Sequence, residues 1–215
     1  MQSDSRGDNL RRITKAALGG VAGCALALGG TQVASGVLST ILREQSENLL
    51  TDAQAAKPFD MAKATIKIAV DGNSTTFNLD LTKIDPSQLD PEEPVLGSHL
   101  HTGPCIDGDP MSAGPHYNHD VVTNNKRFPV PGEVKTYGYT AEISTSTEVW
   151  FDLKPEGADI ASAETTVPFV PVDPDGIMSV VVHVSFTDPL TGTAGKRQAC
   201  FPLSVSGIFP ATVTK

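Results

Sequence analysis

Cysteine, histidine and positive charge are all scarce in this sequence. Its 215 residues hold three cysteines and five histidines, and 16 lysines and arginines face 25 aspartates and glutamates, for a formal charge of −9. Residues 1–42 carry four basic and two acidic side chains, so the remainder stands at about −11. A domain this acidic argues against nucleic acid as a partner, since phosphate backbones select clustered cations. No Gly-x-Ser-x-Gly elbow occurs and no cysteine–histidine pair is placed for attack, so nucleophilic catalysis has no support. Internal repeats and low-complexity tracts are also missing. The length accommodates one domain of about 150 residues with a real core, plus an extension.

Glycine and proline, by contrast, are plentiful. Nineteen glycines and sixteen prolines are spread between short β-rich runs, which points to an all-β domain rather than to disorder. Residues 64–70 alternate through Ile66, Ile68 and Val70, and residues 75–81 through Phe77, Leu79 and Leu81. The Asp71-Gly72-Asn73-Ser74 turn between them makes this a β-hairpin. A strand starting at Val95 and strands at 149–153, 166–170, 178–186 and 201–205 bring the count to about seven. Such a count suggests a Greek-key β-sandwich or flattened barrel.

The N-terminus reads as a targeting segment. Arg6, Arg11, Arg12 and Lys15 precede 27 uncharged residues, 16–42, the order of an export signal that delivers the rest of the chain outside the cell or into the envelope. Three fates are open. Val21-Ala22-Gly23-Cys24 resembles a bacterial lipobox, with Cys24 as the lipidated residue. Cleavage near 33–35 is the second, and an uncleaved anchor the third, since a spanning helix needs about 20 apolar residues. Membrane contact is expected through this segment alone. Residues 43–60 are expected to form a polar tether or short helix closed by Pro58, with the β domain occupying 61–215.

Three of the five histidines fall within 97–118. If 96–102 is extended, the period-2 alternation of a strand puts His99 and His101 on one face, about 7 Å apart, with Leu100 on the other. A third imidazole from the following Gly/Pro loop, His116, can join them on one metal ion. All-imidazole ligation suits copper, zinc, iron or nickel rather than magnesium or calcium.

Gly97-x-His99-x-His101 followed by Ser112-Ala113-Gly114-Pro115-His116-Tyr117-Asn118 resembles the copper-binding stretch of the copper/zinc superoxide dismutase family. A second match lies downstream, in Val181-Val182-His183 and Ala194-Gly195-Lys196-Arg197-Gln198-Ala199-Cys200. The resemblance covers about half of the chain, 97–207, in the family's order. It implies copper held by His99, His101, His116 and His183. It also implies conversion of superoxide to dioxygen and hydrogen peroxide by Cu(II)/Cu(I) cycling. His116 would be the ligand that releases copper and carries a proton, Arg197 the cation that docks the superoxide anion, and Lys196 an addition to the local positive potential. Cys105 and Cys200 would form the family's disulfide, in keeping with an exported domain. Cys105 nevertheless lies four residues after His101, whereas the family's loop cysteine sits where this chain has Pro110-Met111.

A further departure concerns zinc. Between His116 and His183 this sequence offers only His119, too near to span the family's zinc cage, so His119 is read as a surface or supporting residue. The chain then resembles the copper-only, zinc-less branch, here as a bacterial exported member. Something other than zinc must orient His116, and Glu148 is chosen over Asp152 for that task. The loop 187–193 is short, with Asp188 as its one acid, and suggests an open copper site. Two competing readings share parts of the pattern. One is a copper-binding or copper-buffering envelope protein without turnover, against which Arg197 argues. The other is a chordin-type β-domain, which accounts for His-x-His-x-Gly but not for His116, His183 and the Arg197/Cys200 segment together.

Overall fold

The computed structural model describes residues 40–50, 57–89, 95–124, 126, 141–157, 159–173, 177–205 and 208–210. Cys24 and the whole targeting segment before Thr40 lie outside them. The described chain is all-β. Its strands are β1 (Thr40–Glu47), β2 (Lys63–Asp71), β3 (Ser74–Thr82), β4 (Leu96–His101), β5 (Trp150–Pro155), β6 (Ile160–Val167), β7 (Met178–His183) and β8 (Arg197–Leu203). One short helix, α1 (His119–Asn124), follows the histidine loop.

All pairings are antiparallel, in the order β1-β2-β3-β6-β5-β4-β7-β8. Strands β4, β5 and β6 are consecutive neighbours and β7 returns to lie beside β4, which is a Greek key. The two end strands approach each other through side-chain and post-strand contacts. Leu49 N donates to the carbonyl of Cys200 at 3.0 Å, and Cys200 N donates to Asn48 Oδ1 at 2.9 Å. The eight-stranded sheet is thereby nearly closed into a barrel.

The hairpin forms as the alternation predicts. Ala64, Ile66 and Ile68 of β2 and Phe77, Leu79 and Leu81 of β3 all point into one core, with Gly72 taking φ +58° at the turn. Strands β4 and β7 are buried at every position, so both of their faces are covered. Leu96 and Leu100 of β4 and Met178, Val180 and Val182 of β7 face the core. The opposite face of β7 packs Val181 with Leu50, Ala113 and Cys200 in a second, smaller cluster.

Three expectations change. Residues 43–47, expected as tether or helix, belong to strand β1, which pairs with β2 from Thr40↔Val70 to Glu47↔Lys63. Every second residue from Leu42 to Leu50 is buried or half-buried, but that face includes Glu44, Ser46 and Asn48 and so carries little hydrophobic pattern. Phe59, inside the expected tether, is fully buried in the main core. The strand expected at 166–170 instead runs from Ile160 to Val167, where small and polar residues pair with β3. Strand β7 stops at His183, where a register shift against β8 ends the regular ladder.

Candidate metal centre

Strand alternation decides the first two imidazoles. Leu100 enters the core, so His99 and His101 must emerge on the other face of β4. His116 joins them because the chain after β4 folds back on its own strand. Gly103 N donates to the carbonyl of Ala113 at 2.8 Å and Tyr117 N to that of Leu100 at 2.7 Å, and His101 and His116 form an isolated bridge. Gly103 must be glycine, since a Cβ would lie 2.4 Å from the carbonyl oxygen of Ser112. His183 comes from the neighbouring strand.

One nitrogen from each of these four residues lies within 4.8 Å of all the others. The remaining nitrogens are held. His101 Nδ1 is 3.0 Å from the carbonyl of Gly114, His183 Nδ1 is 3.0 Å from that of Gly195, and His99 Nε2 is 2.9 Å from Thr187 Oγ1. A carbonyl can only accept, so His101 and His183 carry their proton on Nδ1 and turn the Nε2 lone pair inward. His99 Nδ1, His101 Nε2 and His183 Nε2 are all buried without a hydrogen-bond partner. Each such atom costs about 1–3 kcal/mol if nothing ligates it. Three of them converging on one point fit a metal ion. Burial pushes the pKa of His99 and His101 well below the usual imidazole value and that of His183 down to about 4, with the neighbouring imidazoles and Arg197 adding to it. The three rings are therefore neutral at neutral pH, the form that ligates metal.

No protein-family model matches this chain, and no curated protein matches it. The site must be read from its own geometry.

His116 differs from the other three: its side chain is 21 % exposed and its Nδ1 lies 3.1 Å from Glu148 Oε2. Glu148, not Asp152, is the carboxylate that reaches it. The same carboxylate accepts from Trp150 Nε1 at 2.8 Å and from Asn118 Nδ2 at 3.1 Å, so three donors fix it in place. The loop 187–193 packs over this group, with Gly192 so close that a Cβ would lie 2.5 Å from Ile143 and 3.6 Å from Glu148 Oε2.

Arg197 opens β8 and reaches back to the histidine loop. Its guanidinium donates to the carbonyls of Pro110 at 2.7 Å and Gly114 at 2.6 Å. Gly114 thus serves both Arg197 and His101, which sets a fixed cation at the rim of the cluster. The Cys105–Cys200 disulfide ties the start of the same loop to β8. His119 takes no part in the cluster. Its ring stacks on Phe169 with centroids 4.4 Å apart, and its Nδ1 lies 3.1 Å from the Tyr117 hydroxyl. Lys196 is exposed beside Arg197.

Among the described residues the four histidines are the one group of three or more side chains gathered to hold a metal. Thr187, Trp150 and Asn118 were not singled out by sequence. Asn118 closes the His116 segment and was within reach, whereas a loop threonine and a strand tryptophan carry no signal without the fold.

Proposed function

We propose that this protein is an exported, copper-dependent superoxide dismutase of the copper-only kind. The observation that carries the reading is the set of converging imidazole nitrogens beside a fixed guanidinium. Four imidazoles suit copper in both oxidation states, and the held Nδ1 of His116 supports a centre without a bridging zinc. When bound, copper would supply the one-electron exchange that turns superoxide into dioxygen and hydrogen peroxide. The chain supplies the rest. Gly114, Gly195, Thr187 and Glu148 orient the rings, and Arg197 offers positive potential and further N–H donors to a small anion. His116, the most exposed of the four rings, would exchange a proton at Nε2 while Glu148 keeps its other nitrogen in position. The disulfide and the basic-then-apolar N-terminus support export to the cell envelope or beyond.

Metal-free protein supplied with copper alone is expected to speed superoxide decay, and added zinc is expected to change the rate little. A strict zinc requirement would overturn the copper-only reading.

Arg197 separates an enzyme from a copper buffer. Arg197→Ala is expected to lower turnover about tenfold or more, the worth of one charged hydrogen bond of about 1.5–3 kcal/mol, and to cost much less copper affinity than loss of a histidine, because Arg197 touches the cluster only through the Pro110 and Gly114 carbonyls. Raising salt should slow the parent more than the variant, because screening acts on an attraction the variant has lost. His183→Ala should instead weaken copper binding itself. Equal rates and equal salt dependence in parent and Arg197→Ala would favour the buffer.

A further inference from the structure

Tyr117 and His119 follow His116 along the chain, and the metal centre uses neither of them. Tyr117 is fully buried, and its hydroxyl has two partners. Val172 N donates to it at 2.9 Å, from residues 168–173, which lead out of β6. His119 Nδ1 stands 3.1 Å from the same oxygen. The His119 ring also stacks on Phe169 of that connection, with centroids 4.4 Å apart and an interplanar angle of 12°. Its own backbone N donates to the carbonyl of Thr147 at 2.7 Å, next to Glu148.

A backbone N–H can only donate, so the Tyr117 oxygen accepts from Val172 and has its own proton left to give. His119 Nδ1 takes it, which leaves the single proton of that ring on Nε2. A second proton would have to sit on Nδ1, where it meets the hydroxyl hydrogen and displaces it from its acceptor. A buried hydroxyl without an acceptor is costly, so the arrangement holds only with a neutral ring. Burial also pushes the His119 pKa down, against the pull of Asp120, which is itself paired with Lys126 at 2.6 Å. Beside Thr147, Glu148 is engaged by His116, Trp150 and Asn118. Burial, with the charge of Asp173 on the facing connection, pushes the Tyr117 phenol up and keeps it protonated. A folded pKa below the unfolded one means that stability is full above about pH 6.5 and falls as acid is added below it.

We propose that Tyr117 and His119 form an acid-released clasp between the His116 segment and residues 168–173. Neutral His119 closes it, taking the hydroxyl proton while its ring covers Phe169. Protonated His119 opens it, and the Val172 amide loses its cover. The clasp needs no metal and stands whether or not the copper reading does. The pinned segment starts at His116, so release frees the chain next to one ring of the cluster.

The test uses the full metal-free chain, with long-range proton–nitrogen spectra of its histidine rings and amide hydrogen exchange. At neutral pH His119 is expected to be protonated at Nε2 alone. Cluster histidines also take up protons in acid, so Val172 protection is read relative to the amides of the β2–β3 hairpin. That ratio should fall by up to about tenfold between about pH 7.5 and about pH 5.5, one proton's worth below the usual imidazole value. His119→Phe keeps a ring over Phe169 and removes the titration, so its ratio should stay flat. A parent with His119 protonated at Nδ1 at neutral pH overturns the proposal, even if the variant does not fold. So does a flat ratio in the parent, or a folded His119→Phe with the parent's pH dependence.

Discussion

Glu148→Gln is expected to weaken copper binding by about 10–100-fold, the usual loss when a partner of a metal-ligating histidine is removed. The substitution keeps size and shape, so the loss arises from hydrogen-bond polarity. Glu148 accepts from His116 and Trp150 on one oxygen and from Asn118 on the other. An amide can accept on one side only, and its NH₂ must face a donor on the other. Asn118 cannot turn its amide to accommodate this, because its Nδ2 also donates to the carbonyl of Glu142 and its Oδ1 accepts from Asp120 N. One buried donor is left unpaired, at a cost to stability of about 1–3 kcal/mol. Chelator competition and thermal unfolding of the metal-free protein check both parts. Parent-like copper affinity together with a parent-like melting point would remove Glu148 from the site.

Cys105→Ser is expected to cost about 2–5 kcal/mol, as for a lost native bridge, which lowers the melting temperature by about 4–20 °C for a domain of this size. The bridge closes 95 residues of sequence, and Cys200 is also where the barrel seam is joined. The histidine loop should not detach altogether. Arg197 still grips it at Pro110 and Gly114, and Ser179 Oγ donates to the carbonyl of Gly103 at 2.8 Å. The variant is therefore expected to keep its four-histidine cluster at low temperature and to lose it early on heating. Mass spectrometry of the unreduced parent that found both thiols free would refute the bridge.

Short-range patterns were the legible part of this chain. The β2–β3 hairpin follows from alternation across an Asp71–Ser74 turn, and the pairing of His99 with His101 follows from strand period alone. Those signals are contained within a few residues. Strand β1 was missed because its inward face carries Glu44, Ser46 and Asn48 rather than aliphatic side chains. Glu44 is tolerated there because Ser204 N donates to its carboxylate at 2.8 Å, a partner 160 residues away. Strand β6 hid for a related reason: Ala161, Ser162 and Ala163 are too small to show a hydrophobic period and gain their places by pairing with Leu81, Asp80 and Leu79. In the centre itself the ligands were legible and their tautomers were not. The latter depend on carbonyls of Gly114 and Gly195 and on Thr187, whose positions only the folded loops decide.

Trp150 is the chain's single tryptophan, and it is nearly buried, bonded to Glu148 and set edge-on to His99 with ring centroids 6.1 Å apart. The protein's ultraviolet-excited tryptophan emission therefore comes from one place, the wall of the four-histidine cluster. An emission change on adding an ion reads events at that wall without an attached dye. The converse also holds: an emission-monitored melt reports on this wall and not on the β2–β3 side of the barrel, so its midpoint belongs beside one from a whole-backbone probe.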